Sequence, residues 1–217
     1  MNGKLIVFEG VEGCGKTTQI QRIYQWLLSS GIPVVVTREP GGTELGSHLR
    51  QLLLEVGKST IAYTTELLLY AADRAQHVEQ ELKPDLQQGK IILCDRFTDS
   101  TVAYQGYGRS LDMSLIHQLN AIATSGLESD LTLWFDVDVE IGLSRKISSN
   151  NGVTTADRIE QEKIEFHRRV QQGYTELAGL YPQRIQRIDA LLDQDQVQRQ
   201  IQAILTERLQ NWGFHNT

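Results

Sequence analysis

Short apolar, β-branched runs recur along the chain, each bounded by turn-forming residues, with longer amphipathic stretches between them. Leu5–Phe8, Val34–Thr37, Ile91–Cys94, Leu131–Phe135 and Ile185–Ile188 read as buried strands, and their separation excludes tight hairpins. Between the first two, Ile20, Ile23, Tyr24, Leu27 and Leu28 fall at the spacing of one helix face, with Gly31 as a stop and Pro33 just beyond. Further helical faces lie in Leu115–Thr124, in Phe166, Val170, Tyr174 and Leu177, and in Val197, Ile201, Ile204 and Leu205. A helix from Thr64 to Gln87 carries the run Leu67-Leu68-Leu69, which suits a subunit interface or core burial equally. Strand and helix alternating in this way predict an α/β fold: a mainly parallel five-stranded sheet with helices on both faces. Ligands of such sheets bind beyond the carboxyl ends of the strands. The polar run 148–155, SSNNGVTT, interrupts the helical patterns and suits either a lid over that edge or a surface loop without a role.

Composition narrows the picture modestly. A chain of 217 residues suits one domain, 1–217, and 40% hydrophobic with 22% charged residues is ordinary globular usage. The net charge of −6 opposes binding to nucleic acid, whose phosphates call for clustered Lys and Arg. The first apolar run is too short for a signal-peptide core and no run approaches membrane-spanning length, so a cytoplasmic protein with no membrane partner is expected. Cys14 and Cys94 show no metal-ligand spacing, and His48, His77, His117 and His167 lie on helical patterns without a partner spacing for metal.

The sharpest chemical signal is Gly10-Val11-Glu12-Gly13-Cys14-Gly15-Lys16-Thr17, which matches G-x-x-x-x-G-K-[ST] and sits between a strand and a helix as a P-loop must. Its glycines let backbone N–H groups converge on phosphate oxygens, the helix N-terminus adds its dipole, Lys16 reaches terminal phosphates and Thr17 can ligate Mg²⁺. This implies a P-loop NTPase fold and a nucleoside triphosphate donor. The Asp-x-x-Gly and Asn-Lys-x-Asp strings of a GTPase are absent from the chain. A kinase for a small acceptor and a nucleotide-binding subunit of a larger machine remain.

Arg38 follows the second strand and Arg96 the third, so both project beside the P-loop, where two guanidinium forks can clamp a monophosphate. Asp95, ending an apolar strand, is placed to hold Mg²⁺ or its waters.

FEGVEGCGKTT, TREPGGT, LLLYAADRAQH, DRFTDSTVAYQG and DRIEQE, in that order between residues 8 and 162, resemble the thymidylate kinase family. The P-loop is shared by many families, whereas TREPGG together with DR…AYQG is specific. The resemblance implies transfer of the ATP γ-phosphate to dTMP with Mg²⁺, giving dTDP, in a homodimer whose lid spans about residues 145–157. It assigns ATP to Gly10, Val11, Glu12, Gly13, Cys14, Gly15, Lys16, Thr17, Thr18 and Arg145, the last stacking on adenine. It places Tyr70 on the thymine ring, Arg74 on a base carbonyl, Thr101 and Gln105 at the base edge, Tyr104 against the sugar where a 2′-hydroxyl would clash, and Glu12 near the sugar hydroxyl. Arg38, Arg96 and Asp157 complete the acceptor site, and Glu160 joins Thr17 and Asp95 at the metal. Phe97 departs from the polar-edged aromatic or histidine often found after Asp-Arg, with little consequence for packing.

The lid departs further. Family members supply a positive charge over the transferring phosphoryl group from an arginine in the P-loop or in the lid. Here the loop positions are Gly13 and Cys14, and Arg145-Lys146 is followed by no cation until Arg158. Arg158 is expected at the start of a helix beside Asp157 and Glu160. Lys146 is then the stand-in among the catalytic set Lys16, Arg38, Arg96 and Lys146, with a solvated helix-end charge as the other reading.

Overall fold

The computed structural model describes residues 3–57, 60–149 and 156–214. Its strands are β1 (Lys4–Gly10), β2 (Val34–Arg38), β3 (Ile91–Asp95), β4 (Leu131–Asp136) and β5 (Ile185–Asp189). Each contains one of the expected apolar runs and extends it at the carboxyl end by polar or glycine residues, because backbone pairing continues where side-chain hydrophobicity stops. Arg38 pairs with Asp95, and Asp95 with Phe8. Two further bonds, from Arg96 N to Phe8 O (3.0 Å) and from Glu39 N to Asp95 O (2.9 Å), carry the alignment past the sheet edge.

The helices are α1 (Lys16–Ser29), α2 (Glu44–Leu54), α3 (Tyr63–His77), α4 (Lys83–Gln87), α5 (Thr98–Thr101), α6 (Met113–Thr124), α7 (Val139–Ser149), α8 (Ile164–Leu180) and α9 (Gln194–Asn211). A π-helical turn, Val78–Leu82, joins α3 to α4 with right-handed helical backbone throughout, so the single helix expected from Thr64 to Gln87 is continuous and changes only its hydrogen-bond register. Pro84 in the first turn of α4 cannot donate to the carbonyl four residues back, and the wider turn accommodates that loss. A second π-helical turn, Val102–Gly108, follows α5.

All sheet neighbours are parallel, in the order β2-β3-β1-β4-β5, so the anticipated P-loop α/β architecture is present. The chain steps to opposite sides of β1, leaving a crevice at its carboxyl end. Side chains alternate across the sheet: Ile6 and Phe8 join the core under α1, α8 and α9, while Leu5 and Val7 join Ile92, Cys94 and Leu82 on the other face. Burying each of these four completely contributes roughly 1.5–3 kcal/mol. On α1, Ile20, Ile23 and Leu27 are buried, while Leu28, at the margin of the stripe, is half exposed.

Two expectations for the lid region need revision. Of the polar run 148–155, positions 148 and 149 are helical and end α7, while 150–155 lie outside the described residues. Residues 157–162 form a turn, and the next helix begins only at Ile164. Asp157 Oδ1 accepts from the N–H groups of Ile159 and Glu160, both at 2.9 Å, which is the chemistry of a helix cap applied to a turn.

Candidate active site

The phosphate loop leaves β1 at Gly10, and Gly15 enters α1 with φ 98°, a left-handed conformation that an L side chain resists. Gly13 has φ 70°, and a Cβ there would stand 1.9 Å from the carbonyl oxygen of Gly142 on α7. A side chain at position 13 is excluded by backbone. Lys16 is buried, and its Nζ donates to Gly10 O (3.0 Å) and Val11 O (3.1 Å), with Cys14 Sγ at 3.4 Å. The lysine therefore folds back over its own loop. Thr17 and Thr18 are exposed at the floor of a cleft of about 930 Å³.

The same cleft is lined on its other side by Arg38, Tyr70, Arg74, Arg96, Thr101, Tyr104, Gln105 and Asp157, and it also receives Glu12, Asp95, Arg145 and Lys146. The structure thus gathers most of the sequence-derived donor and acceptor residues into one space; Gly10, Val11, Cys14 and Glu160 do not line it. Arg38 is exposed on its wall. Arg96 has φ 71°, which turns its side chain out of the line of β3. Its guanidinium lies 4.9 Å from the Tyr104 ring centroid and pairs with Glu12 at 2.5 Å. Burial acts to raise the pKa of Glu12, but Arg96, Lys16 and Lys146 outweigh it and hold the carboxyl at about 2. It is ionised across the neutral range.

Arg74 is almost wholly buried and engaged four ways: Nε to Glu39 (2.7 Å), Nη1 to Thr101 (2.7 Å) and Asn120 (2.8 Å), Nη2 to Phe97 O (2.9 Å). Only one of its five N–H groups is left to reach a ligand. Tyr70 borders the cleft half-buried on the same helix face as Arg74. Tyr104 Oη is buried without a hydrogen-bond partner, and burial raises its pKa, so it stays a neutral phenol.

Several supporting residues are given no role by the sequence reading. Glu9, fully buried, accepts at Oε1 from Phe97 N (2.9 Å) and Ser100 N (3.1 Å), and at Oε2 from Ser100 Oγ (2.6 Å) and Tyr174 Oη (2.7 Å). Glu39 holds His77 Nδ1 at 2.9 Å beside Arg74, and His77 Nε2 reaches Thr37 at 2.7 Å. Asp73 Oδ1 accepts from Gly41 N at 3.0 Å and braces the Arg38–Gly42 turn, while Oδ2 is buried without a partner. Glu66 accepts from Gln105 Nε2 (2.9 Å) and from Arg109 Nη2 (3.1 Å), and pairs with Arg158 at 2.6 Å. The partner of Arg158 is thus Glu66 rather than Asp157 or Glu160, because its Nε is drawn the other way to Leu53 O at 2.8 Å.

On the α7 side, Arg145 Nη1 donates to Ala190 O (2.7 Å), which holds the guanidinium at the cleft. Lys146 Nζ lies 3.2 Å from Glu160 Oε1, and although burial pulls its pKa down, that carboxylate more than offsets it. Burial first, then Glu160, raise the pKa of Asp157.

Asp95 Oδ1 is buried without a partner, and its residue lines the same cleft as Thr17. An orphaned carboxylate oxygen in a cleft that also holds a phosphate-loop hydroxyl suits Mg²⁺, which takes one or two carboxylates and keeps its remaining positions for waters and phosphates. Glu160 fits that group less directly, since its carboxylate is occupied by Lys146 and by the N–H of Asp157 at 3.2 Å. His48 and His117 are exposed and His77 is buried in its hydrogen bonds, as expected of surface and core histidines.

Residues 8–201 match the family model described as thymidylate kinase. A thymidylate kinase of Nostoc punctiforme is 68% identical over 210 residues, covering 96% of this chain and 98% of its own. One of Trichodesmium erythraeum is 58% identical over 229 residues, covering 99% and 100%. A crystal structure of thymidylate kinase from Ehrlichia chaffeensis is similar with a TM-score of 0.77 at 34% identity, covering 95% of this chain and 100% of that one.

Proposed function

The chain belongs to the thymidylate kinase family, and from that premise we propose that it transfers the γ-phosphoryl group of ATP to dTMP, giving dTDP and ADP on the route to dTTP. The observation that carries this reading is the opposition, across one cleft, of the phosphate loop at the end of β1 and two arginines at the ends of β2 and β3. Backbone N–H groups of the loop hold the donor phosphates, and Lys16 leaves the carbonyls of Gly10 and Val11 to join them. Arg145, fixed by Ala190, offers its flat face to the adenine.

Arg38 and Arg96 hold the acceptor phosphate. Tyr70 stacks on thymine, Arg74, Thr101 and Gln105 read the base, Tyr104 packs against the deoxyribose, and Glu12 and Asp157 face its hydroxyl side. An acceptor phosphate oxygen attacks in line, and the protein's work is to position two anions and cancel the charge that grows between them. Thr17 and Asp95 would hold Mg²⁺, which, when bound, neutralises donor phosphate charge. Lys146, released from Glu160, brings its ammonium over the transferring group.

A coupled assay offering ATP with dTMP, dUMP, UMP, CMP and AMP tests the proposal. Turnover is expected to be fastest with dTMP; equal or faster turnover of another monophosphate, or none at all, overturns it.

We also propose a homodimer through the α2–α3–α6 surface, where Leu45, Leu52, Leu68 and Ile122 are exposed while Leu67 is buried in the core. Light scattering should give twice the chain mass. A cytoplasmic location accords with the absence, among the described residues, of a helix long and apolar enough to cross a membrane.

A further inference from the structure

Arg96 is held from behind as well as from the front. Its Nη1 lies 3.2 Å from Ser100 Oγ and 3.2 Å from Tyr174 Oη, so its two N–H groups go to two hydroxyl oxygens. Each hydroxyl spends its own proton on the same oxygen of Glu9, at 2.6 and 2.7 Å. Four donors converge on that carboxylate, an arrangement that suits its ionised form. Its Oε2 lies 3.9 Å from Nη1, with the hydroxyls bridging the two. Nη2 reaches forward to Glu12. The Nε–H and the second Nη2 N–H, which make no hydrogen bond to a described residue, remain for a phosphate.

Tyr174 stands apart within this group. Glu9, Ser100 and Arg96 lie on β1, α5 and the turn between β3 and α5, whereas Tyr174 reaches in from the middle of α8, the helix that follows the lid segment. Its ring is buried against Tyr104, with centroids 6.5 Å apart, and it shares a helix face with Val170 and Leu177. A phenylalanine would fill that place equally well. The hydroxyl is therefore in excess of what packing requires, and it joins Glu9, Ser100, at 3.0 Å, and Arg96 in one hydrogen-bonded group.

We propose that Tyr174 is a positioning residue for phosphoryl transfer: its hydroxyl, backed by Glu9, fixes the rotation of the Arg96 guanidinium so that the free N–H edge faces the acceptor phosphate. The inference rests on the assignment of Arg96 to that phosphate. It also means that α8 takes part in setting the acceptor arginine.

The test is Tyr174→Phe, which keeps the ring and removes one oxygen. The dissociation constant of dTMP, measured by calorimetry, should rise about tenfold, the scale of a hydrogen bond to a charged group. The KM for ATP should stay within about twofold of the parent, and kcat/KM for dTMP should fall with the affinity. In an Arg96→Ala background the same substitution should change dTMP affinity by less than about twofold, because the group it orients is gone.

Parent-like dTMP binding in Tyr174→Phe overturns the proposal. So does a loss shared equally by dTMP and ATP with a lowered melting temperature, or an undiminished loss in the Arg96→Ala background, since either marks a merely structural hydroxyl. If Arg96→Ala alone binds and phosphorylates dTMP like the parent, the assignment of Arg96 fails first. If Arg96→Ala collapses dTMP kinetics while Tyr174→Phe leaves them intact, only the positioning role fails.

Discussion

The two halves of the cleft are built on opposite principles. Apart from Arg145 on α7, the half proposed to hold ATP is one contiguous loop and helix end, residues 10–18, whose recognition groups are mostly backbone N–H and whose special residues are glycines and one lysine. The acceptor half draws on β2, α3, the turn after β3, the π-helical turn 102–108 and the segment at 157, and its groups are side chains held by buried ion pairs. A local device tolerates change in the remainder of the chain, whereas a dispersed one depends on the fold to bring its parts together. The donor half should therefore fail through one residue and the acceptor half through its supports.

The largest effect is expected from Lys16→Ala. Its side chain makes polar contacts within the loop and none needed by the core, so the protein should fold while kcat falls more than ~100-fold, a barrier increase of about 2.7 kcal/mol. Steady-state kinetics alongside a melting curve check both. A kcat above about a tenth of the parent's would show that the loop does not work through its lysine.

Lys146→Ala probes the seam between the halves. Released from Glu160, the ammonium acts mainly on charge that develops in the transition state, so kcat should drop about tenfold with both Michaelis constants nearly unchanged. If Lys146→Ala turns over normally while Arg145→Ala or Arg158→Ala collapses kcat, an arginine carries that charge. Retention of activity in all three would remove the lid from the chemistry.

The smallest effect concerns a support of the acceptor half. Burial, then Glu39, raise the pKa of Asp73 from 3.8 to about 6. The folded protein holds this proton more tightly than the unfolded chain, so the group's contribution to stability is complete below about pH 3.8 and is lost as pH rises to about 6. Asp73→Asn keeps an acceptor for Gly41 N and removes the titration. Its stability should fall less between about pH 4 and about pH 7 than the parent's, by an amount on the order of 1 kcal/mol, as read by denaturant unfolding. An unaltered pH slope would mean that Asp73 is not the group responsible.

The same contrast explains what was legible in the sequence. The five strands and the phosphate loop are local in cause: apolar runs make strands, and glycine spacing makes an anion cradle, so both could be read from adjacent letters. Arg38 and Asp95, which end strands, and Arg96, which directly follows one, were readable because the fold class says what strand ends do. Glu9, Glu66, Arg109 and Tyr174 were not, since no period or motif joins a carboxylate at position 9 to a hydroxyl 165 residues later. The turn at 157–162 misled because Asp157 caps it with the same hydrogen bonds that would open a helix. The π-helical turn within the 64–87 helix did leave a mark, Pro84, although a proline in the first turn of a helix is compatible with either outcome.

The close approach of Gly13 and Gly142 also bears on how such an enzyme can change by descent. A Cβ on Gly13 meets the carbonyl of Gly142 at 1.9 Å, and one on Gly142 meets the carbonyl of Glu12 at 2.5 Å, so each glycine is the condition for the other. Moving the catalytic charge from lid to loop through Gly13→Arg cannot proceed as a lone substitution, because α7 must first retreat from the loop, and that retreat would carry Arg145 and Lys146 away with it. With Lys146 in the role proposed for it, the intermediate would lose one cation before the other could be seated, so the paired glycines hold the arrangement in place.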